Sequence, residues 1–225
     1  MRSSHPSRAH SSQAGFTLVE IAIVLVIIGL LLGGILKGQE MIAQARIKNA
    51  INDFNGISVA VTSYQDRYRA LPGDDKAAST RWAAQTPAPA SGDGDGIVEG
   101  LYNDTTLTTE THLFWQHLRI AGFVPGPTTG AGATLLPQNA VGGLIGVETA
   151  VTGTNGLGFT SLIVCSSNLP DKVAIALDTQ IDDGNPQTGQ VRAQLQSQAN
   201  PATATAPATG YVETGVSQYL VCKAL

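Results

Sequence analysis

Residues 15–36 read GFTLVEIAIVLVIIGLLLGGIL, and sixteen of them, Ile21 to Leu36, carry no charge. About 20 apolar residues cross the hydrocarbon core of a bilayer as a helix, and Phe16–Leu36 supplies 21 with Thr17 and Glu20 as its only polar breaks. Arg2 and Arg8 precede the run and no acidic residue does, so the positive-inside rule holds the N-terminus in the cytoplasm. A secretory signal peptide has a shorter apolar stretch followed by a small-residue cleavage site. Glu20 is the informative residue, because an ionisable side chain within a membrane segment is costly and marks function unless it snorkels to the interface. Gly29, Gly33, Gly34 and Gly38 fall four apart in two pairs, a spacing that lets membrane helices approach closely.

The glycine, the following Phe-Thr-Leu-Val-Glu and the apolar run resemble the processing site and N-terminal helix of type IV pilins and type II secretion pseudopilins. The resemblance implies a leader of residues 1–15 and cleavage by a prepilin peptidase between Gly15 and Phe16. It also implies methylation of the new Phe16 amine and pairing of Glu20 with that amine on a neighbouring subunit. Cleavage falls on the cytoplasmic flank, so the apolar segment stays in the mature chain. The implied location is a single-pass anchor in the bacterial inner membrane, with the head outside the cytoplasm, followed by a pilus or periplasmic pseudopilus. Many type IV pilins have proline where this chain has Lys37.

Beyond the membrane segment, Ile47, Ile51, Phe54, Ile57, Val61, Tyr64 and Tyr68 recur at intervals of three and four, the stripe of an amphipathic helix. Leu71-Pro72-Gly73 ends it, since proline disfavours helix in its predecessor and glycine permits a turn. The expected order is a leader (1–15), a membrane half (16–36) and an amphipathic half (37–70) of one spine helix, and a head (71–225). With antiparallel strands in the head, the fold class is α+β, pilin-like. The head has 155 residues, enough to bury a core.

Within the head, Val141–Val147, Leu157–Val164, Gln190–Leu195 and Val216–Cys222 read as strands. Residues 109–121 and 170–181 read as helices, the second opening on proline and an acidic residue. Tracts 86–91, 125–134 and 197–209 are mostly Ala, Thr, Pro and Gly and read as surface loops. Cys165 and Cys222 are the only cysteines. In a domain beyond the cytoplasmic membrane such a pair reads as a disulfide, and the family often ties its C-terminal region to the sheet in this way.

Residues 92–100, GDGDGIVEG, alternate Asp and Gly in the manner of an EF-hand-like Ca²⁺ loop. Asp93, Asp95, Glu99 and the main-chain carbonyl of Ile97 are the candidate ligands, with Asp104 or Glu110 able to complete the set. Asp182-Asp183-Gly184-Asn185 reads first as a turn. Asp74 and Asp75 read as a polar loop, and His117 as a packing residue. No H-E-x-x-H, G-x-S-x-G or phosphate-binding loop occurs, so the chain reads as a structural protein and not an enzyme. The formal charge is −4; removing the two leader arginines leaves 11 Lys+Arg against 17 Asp+Glu, or −6, which provides no electrostatic footprint for nucleic acid. The expected partners are other pilin or pseudopilin subunits, the prepilin peptidase/methyltransferase and the membrane. Three functions are compatible with these readings: a subunit of a type IV pilus, of the minor kind; a type II secretion pseudopilin; and a membrane-tethered binding protein with a pilin-like anchor.

Overall fold

The computed structural model describes residues 15, 17–151 and 154–225. The chain divides into two compact units, Met1–Ile42 and Ala43–Leu225, and one helix, α1 (Leu18–Tyr68), runs through both. In the first unit the helix is apolar all round from Ile21 to Leu36, and none of its membrane-length window is buried in the protein. Leu18, Leu30 and Leu36 are each more than two-thirds exposed.

In the second unit α1 buries one stripe, Ile47, Ala50, Phe54, Ile57, Ala60, Val61 and Tyr64. The apolar periodicity marks five of these. The two alanines, Ala50 and Ala60, lie on the same buried stripe. Full burial of a side chain such as Phe54 or Ile57 contributes about 1.5–3 kcal/mol. The helix ends at Tyr68, two residues before the expected stop at 70. Arg69 turns the chain at φ +54°, and Pro72-Gly73 follows. Gly73 sits at φ +90° with its Cα pressed on α3 (Glu110–Ile120), where a Cβ would lie 2.6 Å from the Glu110 carbonyl oxygen. Glycine is therefore required there on both counts.

Four antiparallel strands form one sheet: β1 (Ile145–Thr149), β2 (Leu162–Pro170), β3 (Val191–Leu195) and β4 (Gln218–Ala224), in the order β1-β2-β4-β3. One face carries Ile145, Val147, Val164, Val191, Ala193, Tyr219 and Val221 into the core shared with α1, α3 and α4 (Asp171–Ile181). The other carries Ile163, Cys165, Leu220 and Cys222 into a smaller cluster closed by Tyr102, Leu157 and Phe159. A short helix, α2 (Ala78–Arg81), follows the turn after α1.

Both expected head helices form within one residue of their read limits, and β3 does likewise. The other three strands start two to five residues later than the apolar runs suggest. The largest shift is at β2, because Gly156-Leu157-Gly158 makes a 3-10 turn with all three residues at positive φ. Leu157 is buried from that turn and not from a strand. The tract 197–209 is also less superficial than its composition suggests. The Tyr102 hydroxyl donates to the Pro201 carbonyl at 2.6 Å, and Thr203 is buried with its hydroxyl on Glu148. A 3-10 turn at Ala131–Thr134 likewise lies in tract 125–134 and buries Ala133.

Glu148 is fully buried on β1, and among the described residues no cationic side chain is paired with it. Its carboxyl accepts from the Tyr102 N–H at 2.9 Å, from Thr203 and from Asn155. Burial raises its pKa against the pull of the Thr203 and Tyr102 donors. An acid whose folded pKa lies above its unfolded value favours folding most at low pH and loses that contribution as pH rises through the folded pKa. Wild-type protein in detergent micelles should therefore lose stability relative to Glu148→Gln as pH rises from about 4. Parallel thermal melts across the acid range check this, and a difference independent of pH would contradict it.

Candidate functional site

Two places concentrate polar chemistry, one at the start of α1 and one in the head. Thr17 precedes the first helical residue, and its N–H and hydroxyl both donate to Glu20 Oε2, at 2.8 and 2.9 Å. The Glu20 N–H donates back to Thr17 Oγ1 at 3.2 Å. This is a capping box, in which Thr at the cap and Glu three residues on satisfy each other's otherwise orphaned donors. The Thr-x-x-Glu spacing marks it in the sequence, although the apolar run draws attention to Glu20 as an intruder in the membrane instead. Gly15 is exposed. Phe16 and leader residues 1–14 lie outside the described residues. At Lys37 the helix is unbroken, and the side chain pairs with Glu40 at 2.7 Å on the exposed surface.

The head site begins at Pro72-Gly73. Because Gly73 lies against α3, the two following aspartates turn inward, and both are buried. Asp75 accepts from the Tyr64 hydroxyl at 2.7 Å and the Ala77 N–H at 2.9 Å, and it pairs with Arg81. Burial pushes the Asp75 carboxyl up, but Arg81 and Tyr64 outweigh it and hold the carboxyl below its ordinary value. Asp75 thus fastens α1 to α2.

Asp74 faces the other way, into loop 92–100. Its carboxylate accepts the Gly94 N–H and, at 2.7 Å, the Gly96 N–H. Both glycines hold positive φ, +81° and +91°, so the Asp-Gly-Asp-Gly segment wraps its amides around a buried acid. Burial raises the pKa of Asp74 above the usual carboxylate value, partly offset by those N–H donors. Asp93 accepts the Asp95 N–H at 3.1 Å and Asp95 the Ile97 N–H at 2.7 Å.

Glu110, the first residue of α3, closes the loop from beneath. It is buried and accepts the N–H groups of Asp93 at 3.1 Å and Glu99 at 3.3 Å. Burial and the adjoining Glu99 carboxyl push its pKa up to about 8, against those two donors. Ligand-type oxygens of Asp74, Asp93 and Asp95 lie within 4.8 Å of one another, and so do those of Asp93, Glu99 and Glu110. Five carboxylates therefore share one loop, with Asp93 common to both groups. Asp93 lies near Asp95 in the first group and near Glu99 and Glu110 in the second. Ile97 contributes an exposed side chain beside them. Asp104 stays apart, capping the Thr106 N–H. Asp74 is the addition: nothing in a Pro-Gly-Asp-Asp string reveals that it will be buried against a loop about 20 residues on.

The remaining polar candidates have structural partners. His117 accepts the Gly73 N–H on Nδ1 at 3.0 Å, and its Nε2 meets the Ala90 carbonyl at 2.9 Å. Burial keeps its pKa low, so it is a neutral packing residue. Asp183 accepts the Asn185 N–H and the Thr188 hydroxyl, and Asp182 accepts the Val191 N–H. The second acidic segment is thus a hydrogen-bonded turn leading into β3.

No curated protein matches the chain. The family model of the prokaryotic N-terminal methylation motif matches residues 10–36. That motif indicates a structural protein that is processed by a prepilin peptidase and assembles with other pilin-type subunits. With the apolar, unburied start of α1, it fits a single-pass inner-membrane anchor. A prepilin methylation motif, a long N-terminal helix and a four-stranded antiparallel head on its second half together support a pilin-like or pseudopilin subunit in general.

Proposed function

We propose that the chain is a structural subunit, of the minor kind, in a type IV pilus or pilus-like filament. A prepilin peptidase cuts after Gly15 and methylates the Phe16 amine. The mature spine then packs against other spines, with Glu20 facing the methylated amine of a neighbour. The match over residues 10–36 carries this reading, and the wholly exposed apolar helix start supports it. An apolar surface of that extent requires lipid or partner helices to cover it. Coexpression with a prepilin peptidase is the test. Support is a mature mass that starts at methylated Phe16 together with recovery in sheared filaments. Retention of residues 1–15 with no filament would favour the membrane-tethered binding protein instead.

A type II secretion pseudopilin is the second reading. Lys37 in place of proline, within an unbroken helix, favours it. Recovery in a periplasmic pseudopilus and not in surface filaments would decide for it.

Loop 92–100 is proposed as a calcium site. Hard-oxygen donors suit Ca²⁺, which takes six to eight oxygens in flexible geometry. Asp93, Asp95, Glu99 and Glu110 would supply carboxylates, Ile97 its carbonyl, and Asp74 a buried anchor for the loop. The fit rests on charge as well as donor type, since five acids share the loop without a basic side chain paired to any of them among the described residues. Calcium at about 100 times Kd should add about 2.7 kcal/mol, raising the Tm of the detergent-solubilised chain by roughly 5–10 °C. Asp93→Ala with Asp95→Ala should remove the increase. A Tm indifferent to chelator would end the calcium reading and leave the filament reading untouched.

A further inference from the structure

Side chains along β4 alternate between the two clusters. Tyr219 and Val221 enter the core under α1, whereas Leu220 and Cys222 enter the opposite cluster. Lys223 takes the next position on the α1 side, where the pattern would place an apolar residue. Its Nζ donates to Ser58 Oγ on α1 at 3.1 Å. Ser58 donates its own proton to the Phe54 carbonyl at 2.9 Å, so its oxygen is free to accept.

An ammonium carries three donors, and this bond uses one. Among the described residues no carboxylate is paired with Lys223. Burial pulls its pKa below that of an ordinary lysine. A half-buried cation without a counter-charge is unfavourable unless something supplies one.

Lys223 lines a cleft of about 540 Å³ between α1 and the ends of the central strands. Val61, Leu71 and Leu162 add apolar wall, and the exposed amides of Gln65 and Gln190 add hydrogen-bonding groups. One cation, two amides and an aliphatic surface suit a carboxylate on a short aliphatic stem.

We propose that this cleft is a carboxylate-binding pocket, and that the carboxylate is an Asp or Glu side chain of a second copy of this chain. Charge favours that source. The chain without residues 1–15 holds 17 acidic residues against 11 Lys and Arg, so each copy has carboxylates to spare and few cations to meet them. The choice of a second copy rests on the filament reading; the pocket itself does not.

Two measurements test it. The first titrates N-acetylglutamate into the full chain in detergent micelles and follows the methyl NMR signals of Val61, Leu71 and Leu162. The shifts should saturate. Lys223→Gln should weaken binding about tenfold or more, since it replaces a charged donor with a neutral one. Lys223→Arg should retain binding. Lys172→Gln, at an exposed lysine near Glu213, should change nothing. Non-saturating shifts, or equal binding by Lys223→Gln, would overturn the pocket.

The second applies a zero-length carbodiimide cross-linker to filaments grown from mixed ¹⁴N- and ¹⁵N-labelled chains. A mixed-isotope peptide joining Lys223 to an Asp or Glu supports the second copy as the source. Filaments in which Lys223 is never cross-linked to another copy would overturn that source and leave the filament reading standing. If no filament forms, the filament reading and the second-copy source fail together, and the titration still decides whether the pocket exists.

Discussion

Glu20→Ala should leave cleavage after Gly15 intact and remove the chain from filaments. In the proposed maturation the peptidase acts on the cytoplasmic side of the segment, before the side chain at position 20 has a partner to meet. Assembly differs, because the spine then lies among other spines in a medium that screens charge poorly. There, an acid facing the methylated amine of a neighbour selects position and register as well as adding attraction. Loss of one member leaves the other buried and unpaired, so incorporation should fall by roughly tenfold or more. Glu20 also belongs to the capping box with Thr17, and alanine removes both roles. Glu20→Gln separates them, because glutamine serves at the third position of a capping box without the charge. If charge pairing drives assembly, Glu20→Gln is cleaved and excluded just as Glu20→Ala is. Normal incorporation of Glu20→Gln would assign the residue to helix capping alone. The readout is the ratio of mature chain in sheared filaments to mature chain in membranes.

The second large effect is expected from the disulfide. Cys165 and Cys222 stand directly opposite each other on the two central strands, with Cα atoms 4.0 Å apart, and they are bonded across a separation of 57 residues. In the chain-entropy model a loop of that length stabilises the folded chain by roughly 4 kcal/mol. Both residues are fully buried beside Leu220 and Ile163, so truncation to alanine also leaves a small void. Cys165→Ala with Cys222→Ala should lower the Tm of the chain in micelles by roughly 8–16 °C. Reduction of the wild-type protein should come close to the same value. An unchanged Tm in both cases would mean that the sheet gains nothing from the cross-link.

Much of the head site follows from tertiary contacts. The alternation of Asp and Gly at 92–96 marks a tight, acidic loop, in which Asp93 lies near Asp95 in one group and near Glu99 in another. The burial of Asp74, however, depends on Gly73 pressing against the Glu110 carbonyl, a contact between segments 37 residues apart. The same approach brings Glu110 under the loop and raises its pKa. Strand limits slipped where glycine allowed a local turn, at 156–158. Apolar runs alone do not separate a strand from a turn that buries one leucine. The Ala/Thr/Pro tract at 197–209 looked superficial because its composition is poor in core residues, yet it is held by hydrogen bonds from Tyr102 and to Glu148. Polar stitching of that kind depends on partners about a hundred residues or fifty residues away and leaves no periodic trace.

The anchor, the spine and the family signature were already determined by the sequence. Each rests on a local rule: an uncharged run of membrane length, a three-four apolar stripe, and a Gly-Phe-Thr-x-x-Glu string read within one helical turn. Local spacing dictates helix and burial face before any long-range contact forms. Tertiary structure alone decided which acids gather at a loop, which lysine lines a cleft half-buried and which face of the sheet holds the disulfide. Those outcomes depend on strand order and on close glycine contacts between distant segments. Two groups can alter each other's charge only once the fold has brought them within a few ångströms.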